Sequence, residues 1–372
     1  MRSPLLVLTL SFGMGHVSAA QSVAEEWRKQ TGSQALVWDA IEYFPAWFRL
    51  VYVRPYWWMI RYWPSLWRKL FQSRLAEGHR KTFPHFLLKA GARRLLQNIS
   101  SVRPGLIVAA EVGASEIASI YKSTIDGCVS IAALVTDFQG EPAWVQPGVD
   151  IYIVPSAKVA EDLRRWGALP ESIEVAGIPV RASFHANLLR AREDLGLSTG
   201  HPVVLLMAGG MGPARLDRIA VELNRLSNEP IQIVAVAGKD QGLLHRLQAL
   251  RLPRVTLLVN GWTDHIEQYM AACNLLITKP GALTLAEAEA MSLPTIVFDP
   301  LPGPEEENLR SFLGRGAGFT AGNPTEIAQL ALDLLRQGFR RKYGRSNPTS
   351  TAAKIVLRLQ RLTGQEIGGM HA

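Results

Sequence analysis

Short apolar runs alternate with helical patterns along most of the chain. In the first half, five runs rich in Val, Ile, Leu and Ala are mostly separated by such patterns, and the same alternation begins again after residue 200. This alternation predicts parallel sheets with crossover helices. The predicted strands are Leu5–Thr9, Ala35–Trp38, Leu106–Ala110, Ser130–Val135 and Ile151–Val154, then Val203–Met207, Ile231–Ala237, Val255–Val259, Leu275–Thr278 and Thr295–Phe298.

The pattern breaks near Gly177–Asn187, before a polar stretch, Ala186–Leu195, that we predict to be helical. A chain of 372 residues is too long for one ordinary core and fits two domains of about 150 to 190 residues each. We therefore predict two Rossmann-like domains, residues 1–180 and 181–345, with ligands in a cleft between the carboxyl ends of their strands. Residues 346–372 are predicted to form a helix and tail that pack back on the first domain.

Neither the start of the chain nor its cysteines indicate export. The first apolar stretch, Leu5–Leu10, is short for a signal peptide, and no run approaches the roughly 18 apolar residues of a spanning helix. Cys128 and Cys273 lie in apolar runs and are predicted to be buried thiols in a reducing compartment, without a disulfide framework or metal site. A soluble or peripheral protein is expected.

The positive charge is concentrated in one segment. The chain carries a net charge of +8, and residues 43–94 contain eleven Lys or Arg and a single acid, Glu77. A basic patch this dense indicates an anionic partner surface, either a membrane or a nucleic acid.

Within that segment, Tyr43–Phe71 holds twelve aromatic residues, five of them Trp, five Lys or Arg and no acid, and three prolines are expected to break it into short pieces. Amphipathic rings beside cations are typical of a lipid headgroup interface, and apolar residues between them favour lipid over nucleic acid. The alternative is a buried aromatic subdomain. We predict a membrane-docking and acceptor-entry segment that uses Trp47, Arg54, Trp57, Trp58, Arg61, Trp63, Trp67, Arg68 and Lys69.

A glycine-containing turn, Ser11–Ala20, follows the first strand and opens a helix. Gly13 and Gly15 permit close approach of a substrate to the backbone, and the helix N-terminus offers free N–H groups. His16 has a suitable pKa for a general base, although a structural histidine that caps the turn is the alternative. Asp39 stands about where a dinucleotide-binding fold places its ribose-binding acid.

The second half begins with a similar turn at Ala208–Gly212, which contains Gly209, Gly210 and Gly212. It is predicted to face a phosphate or a sugar, or to be merely a tight connection. A more informative segment is Leu276–Glu289, where a strand ends, Pro280 and Gly281 turn the chain and a helix begins. That helix N-terminus can hold a diphosphate with help from Lys279 and the Thr284 hydroxyl, and Glu287, one turn later, can accept ribose hydroxyls.

The loop Leu301–Asn308 brings carboxylates and an amide beside the same pocket, unless Glu305–Glu307 simply form an acidic helix start. The sequence contains no Asp-x-Asp pair of the kind that metal-dependent nucleotide-sugar enzymes use. We therefore expect the helix N-terminus and the lysine to neutralise the diphosphate, without a metal or another cofactor.

Taken in order, these motifs resemble the monogalactosyldiacylglycerol synthase family and the processive diacylglycerol glucosyltransferases. They are more distantly similar to the bacterial glycosyltransferase that makes the peptidoglycan lipid precursor. The matching positions are Gly13–His16, Ala19–Ala20, Val135–Asp137, Trp144, Val149–Ser156, Gly177–Val180, Ala237–Lys239, Gly261–Trp262, Thr278–Glu287, Pro302–Gly303 and Asn308.

The resemblance implies a GT-B fold that binds a UDP-sugar in the C-terminal domain and an acceptor, most simply diacylglycerol, in the N-terminal one. It implies inversion to a β-glycoside by a peripheral enzyme on the cytoplasmic side of the cell membrane, with no nucleic acid partner. His16 or Asp137 would be the base or its orienting partner, and Glu287 would hold the uridine ribose. Gly261 and Trp262 would lie near the uracil, and Glu305, Glu306 and Asn308 would face the sugar. Gly238 and Gly303 are further implied donor contacts.

Two positions depart from that family's pattern. Pro304 stands where a glutamine usually contacts the donor sugar, and Glu141 stands where a histidine usually precedes Trp144. The accepted sugar and the acceptor therefore remain open. Other open readings are transfer to another lipid or polyprenyl acceptor, a nucleotide-sugar epimerase on the same fold, a dinucleotide-dependent oxidoreductase, and a non-catalytic membrane-binding protein.

Overall fold

The structure, a computed structural model, describes residues 3–186, 188–209, 214–338 and 350–364. The chain forms two compact units. The first holds the residues up to Arg181, the short segment Pro302–Pro304 and the C-terminal residues from Thr349. The second holds Ala182–Leu301 and Glu305–Pro348.

The first unit is built on a parallel sheet with the strand order β2-β1-β3-β4-β5-β6. Because helices cover both faces, the central strands are apolar throughout, and every residue of the first strand is buried. Strands two and three lie on opposite sides of the first, so the sheet changes direction between β1 and β3. The strands are β1 Leu5–Thr9, β2 Ala35–Asp39, β3 Leu106–Ala109, β4 Ser130–Leu134, β5 Ile151–Val154 and β6 Ile173–Val175.

Among the described residues, nine helices lie between these strands, one short helix opens the second unit, and one lies near the end of the chain. They are α1 Met14–Thr31, α2 Ala40–Tyr43, α3 Ala46–Phe48, α4 Arg54–Tyr62, α5 Pro64–Ala76, α6 His85–Gly91, α7 Arg93–Val102, α8 Val112–Thr124, α9 Ala157–Arg165, the short α10 Ala191–Asp194 of the second unit, and α17 Thr351–Leu362. Short 3-10 turns occur at Pro142–Trp144 and Pro170–Ser172. Helix α17 buries Ile355, Val356 and Leu359 in the cluster that contains Trp27 of α1.

The second unit repeats the design with the order β12-β11-β10-β7-β8-β9, again all parallel, and its direction changes between β7 and β10. Its strands are β7 Val203–Met207, β8 Ile231–Val236, β9 Val255–Asn260, β10 Leu275–Thr278, β11 Thr295–Val297 and β12 Phe319–Thr320. Besides α10 and a 3-10 turn at Ala182–His185, its helices are α11 Leu216–Leu226, α12 Gln241–Gln248, α13 Ile266–Ala272, α14 Ala282–Ala290, α15 Pro304–Gly314 and α16 Pro324–Arg336.

The prediction of an α/β fold with two parallel, Rossmann-like sheets is confirmed. The ten predicted strands all form, and the short edge strands β6 and β12 were not predicted because two or three residues carry too little pattern. The helix predicted over Ala186–Leu195 is wrong, since only α10 forms there. Ala191 is the single buried residue described in that stretch, so a longer helix would have no apolar face to pack.

Two further expectations are corrected. Cys273 is buried as predicted, but Cys128 is exposed, because it lies in the turn before β4, where its N–H donates to Asp126. Pro55 does not break the aromatic segment. It lacks the N–H of a regular helix, and the chain instead runs from α3 into α4 through a π-helix at Arg49–Val53.

Candidate functional site

His16 lies at the carboxyl end of the first sheet, in the first turn of α1. Its Nδ1 is 2.6 Å from the Thr136 hydroxyl oxygen, just beyond β4. Burial lowers the pKa of His16 below its ordinary value, and the negative charge of Asp137 and a hydrogen bond with the Ala110 backbone oppose that shift. The ring is therefore neutral at pH 7 and can accept a proton.

Gly13 is the residue before α1 and Gly15 lies in its first turn, and Gly13 has an extended backbone with φ −154°. A Cβ at Gly13 would meet only the His16 ring, at 3.8 Å, so packing does not require glycine there. Asp39 accepts hydrogen bonds from the backbone N–H of Ile41 and of Ser11. It therefore caps α2 and ties the turn before α1, which explains its position without a ribose.

Asp137 and Glu141 occupy the turn that follows β4. Burial raises the pKa of Glu141 to about 7; the positive charge of Arg74 on α5 opposes this rise and the charge of Asp137 adds to it. Both side chains are partly buried. The residue that departs from the family pattern thus stands in the same group of charges as Asp137.

Glu111 is a member of this group that the sequence did not single out. It follows β3, is 7% exposed, and accepts hydrogen bonds from the N–H groups of Gly113 and Ala114 at the start of α8. Burial raises the pKa of Glu111 to about 8. The two hydrogen bonds oppose this rise, and the negative charge of Glu141 adds to it. An acid directly after a strand, followed by Val-Gly-Ala at a helix start, was the available signal.

At the carboxyl end of the second sheet, Lys279 is the most unusual group. The side chain is 3% exposed, and no described residue forms a hydrogen bond or ion pair with its ammonium group. Burial lowers the pKa of Lys279, while the charges of Glu305 and Asp299 oppose the shift. A buried cation without a bonded partner is costly unless an anion joins it.

Lys279, Pro280 and Gly281 form the turn between β10 and α14. The α14 N-terminus has no side-chain cap, so its first N–H groups have no partner from the capping residue. Thr284 lies in the first turn, and the buried Glu287 follows one turn later. These predicted residues therefore share one helix end.

The predicted loop of carboxylates is largely the start of a helix, which was the alternative interpretation of Glu305–Glu307. Pro304 begins α15, and Glu305 and Glu306 lie in the first turn. The Glu305 carboxylate accepts from the Leu301 N–H at 2.7 Å, which closes the turn. The buried Asn308 amide donates to the Pro280 carbonyl at 3.2 Å and so joins α15 to the turn of Lys279.

Two glycine turns meet beside this edge. Gly209 and Gly238 both have positive φ, and a Cβ on Gly238 would lie 3.1 Å from the Gly209 carbonyl oxygen, so only glycine fits without strain. Gly261 begins the connection after β9, and a Cβ on it would lie 3.8 Å from the Gly238 carbonyl oxygen. Gly210 and Gly212, also predicted as donor contacts, lie outside the described residues.

Trp262 is an exposed ring at this edge. It is 41% exposed, its indole N–H donates to Asp264, and the Lys239 ammonium lies 4.7 Å from its centroid. A cation over the ring is a cation–π contact. The face of the ring is thereby fixed in orientation while remaining accessible.

Arg215 and Asp299 form an ion pair that the sequence did not indicate. The Arg215 Nε donates to Asp299 Oδ2 at 2.7 Å, and its Nη2 donates to Oδ1. The pair joins the residue before α11 to the residue that follows Phe298 after β11. Its neighbours in sequence gave no signal, because the contact depends on strand order.

The aromatic segment divides into an inner and an outer face. Phe44, Phe48 and Phe71 are buried, so part of the segment is core, as its alternative reading held. Trp57 and Trp67 are partly buried. The outer face, here called the exposed aromatic patch, consists of Trp47, Leu50, Val51, Trp58, Tyr62, Trp63, Leu66 and Leu70, with Arg54, Arg68 and Lys69 also exposed.

The side chain of Arg61, also predicted for the patch, lies outside the description. Gly303, predicted as a donor contact, groups with the first unit, where a Cβ on it would lie 3.3 Å from the Trp67 indole nitrogen. In the part of the chain that the structure describes, no helix combines the length and apolarity needed to cross a bilayer. Across the same residues, no group of three or more His, Cys, Asp or Glu could hold a metal ion.

Comparison with known proteins agrees with the motifs. Residues 16–180 match the family model of monogalactosyldiacylglycerol (MGDG) synthase. The processive diacylglycerol beta-glucosyltransferase of Staphylococcus haemolyticus is 26% identical over 341 residues, covering 90% of this chain and 85% of that protein. The probable monogalactosyldiacylglycerol synthase 2, chloroplastic, of Oryza sativa subsp. indica is 29% identical over 339 residues, covering 87% of this chain and 72% of that protein.

Among solved structures, MurG of Acinetobacter baumannii superposes with a TM-score of 0.62 at 15% identity, covering 98% of this chain and all of that one. At that identity the likeness concerns the fold alone. The resemblance predicted from the motifs is thus confirmed, and so is the GT-B fold that it implied.

Proposed function

We propose that this chain, which resembles the monogalactosyldiacylglycerol synthase and processive diacylglycerol glucosyltransferase family, transfers a hexose from a UDP-sugar to diacylglycerol at a membrane surface. It is a glycosyltransferase with the GT-B fold. The product would be a β-glycolipid, formed with inversion at the anomeric carbon. The first unit would bind the acceptor and the second the donor.

The observation that carries the donor side is Lys279. The side chain of Lys279 is almost entirely buried, no described residue bonds its ammonium group, and it lies at the uncapped N-terminus of α14, which together make an electrostatic environment for an anion. A nucleoside diphosphate supplies two phosphoryl groups that fit it. Glu287, buried one turn further along α14, would accept hydroxyl hydrogens of the ribose.

His16 would act as the general base. Its neutral ring accepts the proton of the acceptor hydroxyl while that oxygen attacks the anomeric carbon and UDP departs. Thr136 fixes the orientation of the ring, and the negative charge of Asp137 stabilises the imidazolium ion that forms.

The positive charges of Lys279 and of the α14 N-terminus would neutralise the leaving diphosphate, so transfer is proposed to need no metal or other cofactor. For the membrane, the exposed aromatic patch provides rings and cations of the kind that favour a headgroup interface. We place the enzyme peripherally on the cytoplasmic side of the cell membrane, where nucleotide-sugars are available.

The test is a transfer assay. Purified protein is added to anionic vesicles that contain diacylglycerol, with labelled UDP-glucose, UDP-galactose and UDP-glucuronate in parallel, with and without EDTA. A labelled glycolipid from one donor, undiminished by EDTA, is expected. No glycolipid from any donor, or conversion of the nucleotide-sugar into an epimer without lipid, would overturn the proposal.

A further inference from the structure

The Arg215–Asp299 ion pair holds a cation at the edge of the sheet where the donor is proposed to bind. In the second sheet, β10 lies between β7 and β11. Arg215 belongs to the connection after β7, and Asp299 to the connection after β11. The pair therefore reaches across the carboxyl end of β10, which is where Lys279 begins its turn.

Charge links the three residues. The negative charge of Asp299 is one of the two that raise the pKa of the buried Lys279 against its desolvation. The side chains of Arg215 and Asp299 are 38% and 29% exposed, so both remain open to a ligand. Arg215 and Lys279 are thus two cations at one edge of the sheet, and Asp299 interacts with both of them.

The geometry of the pair leaves half of the guanidinium group available. Asp299 accepts from Nε and from Nη2, which occupies one edge of the planar fork. Among the residues the structure describes, none accepts a hydrogen bond from Nη1. The opposite edge, formed by Nη1 and the second Nη2 hydrogen, can therefore bind a second oxyanion.

Asp299 is held in an unusual conformation to make this pair. It has φ 44°, which lies in the left-handed region and is uncommon for a residue other than glycine. Such strain persists where the surroundings fix it and clusters at ligand-binding positions. The carboxylate is thereby aimed at the guanidinium group and fixes its plane.

We propose that Arg215 is a second phosphate-binding residue of the donor site and that Asp299 is a positioning residue that orients it. The inference rests on the proposed function, because it names the group that would bind the diphosphate together with Lys279. Lys279 would contact one phosphoryl group, and the free edge of Arg215 would bind oxygens of the other.

The experiment compares UDP with uridine, which lacks the diphosphate, by calorimetric titration of the full chain. Arg215→Gln is expected to weaken UDP binding roughly 10- to 100-fold and to change uridine binding less than about twofold. Arg218→Gln is the matched control, since it removes the same charge from an exposed position three residues later. An equal loss for UDP and uridine, or a similar loss in Arg218→Gln, would overturn the role of Arg215.

A double variant separates phosphate binding from mere pairing. If Arg215 served only to neutralise Asp299, the loss in Arg215→Gln would come from an uncompensated carboxylate, and adding Asp299→Asn would restore UDP binding. We expect the double variant to bind UDP as weakly as Arg215→Gln does. Asparagine tolerates positive φ, so this change preserves the backbone.

The wild-type protein distinguishes the two levels of the hypothesis. If it binds UDP no more tightly than uridine, the proposed donor site fails as a whole. If it prefers UDP and that preference survives Arg215→Gln, only the role of Arg215 is overturned.

Discussion

The two sheets end in opposite kinds of chemistry. At the direction change of the first sheet stand a neutral histidine and three acids, two of which, Glu111 and Glu141, have raised pKa values. At the direction change of the second stand the buried Lys279 and the Arg215 guanidinium group. The same parallel scaffold therefore supports a region suited to accepting a proton and another suited to binding an anion.

The difference shows that strand order supplies the location and the first residues after each strand supply the function. In both units, ligands are expected where the sheet changes direction. What distinguishes them is whether the residue that follows the strand is a carboxylate, as at Glu111, or an ammonium group, as at Lys279. Each region can be tested alone, because each is expected to fail in a different assay.

The largest expected effect is that of His16→Ala. Removing a general base should lower transfer about 100- to 10,000-fold. UDP affinity, measured by titration, should stay within about twofold, since His16 belongs to the first unit and the donor site to the second. Added imidazole should restore part of the activity, whereas full activity in the variant itself would contradict the assignment.

Lys279→Met should produce the reverse pattern. UDP binding is expected to weaken by about 10- to 100-fold, because a charged hydrogen bond to phosphate is lost. The melting temperature of the protein without ligand should stay the same or rise, since methionine replaces a buried charge that has no bonded partner. A variant that keeps UDP affinity but melts much earlier would show that Lys279 is structural.

The contrast between the two regions also explains what the sequence could predict. The strands were predictable because runs buried on both faces are apolar throughout, and His16 and Lys279 because each stands in a glycine- or proline-containing turn directly after a strand. The Arg215–Asp299 pair was not, because its two members come from connections distant in sequence, whereas Glu111 had a local signal in the helix start that follows it. Arg215 meets Asp299 only because β10 lies between β7 and β11.

The split of the aromatic segment has a similar cause. Its composition predicted an interface, but Phe48 and Phe71 are buried and Trp58 and Trp63 are about half exposed. Which residue faces outward depends on the register of α4 and α5, and the π-helix at Arg49–Val53 shifts that register by one residue. Composition alone therefore cannot predict this shift of the helical register.

The exposed aromatic patch makes a third comparison possible, because it belongs to the first unit alone. Trp58→Ser with Trp63→Ser should lower partition into anionic vesicles on the order of tenfold, through lost apolar burial. UDP affinity should not change. Leu169→Ser with Leu189→Ser, at exposed apolar positions elsewhere, is the control, and an equal loss there would argue against a specific patch.

The smallest effect concerns the acids of the first region and depends on pH. The pKa of Glu141 in the folded protein is raised to about 7 from an ordinary value of 4.5. The folded state therefore favours the protonated acid, and the stability this contributes is fully present below pH 4.5 and is lost as the pH rises through 7. Glutamine cannot lose that proton, so Glu141→Gln should escape the loss.

The measurement is the melting temperature of wild type and Glu141→Gln between pH 4.5 and 8.5. The melting temperature of the variant is expected to rise relative to that of the wild type as the pH increases, by a few degrees at pH 8.5. Glu161→Gln, at an exposed position on α9, should show no such trend. A difference that stays constant across this range would mean that Glu141 is ionised throughout, and the first region would then be an anionic site instead of one that holds protons near neutral pH.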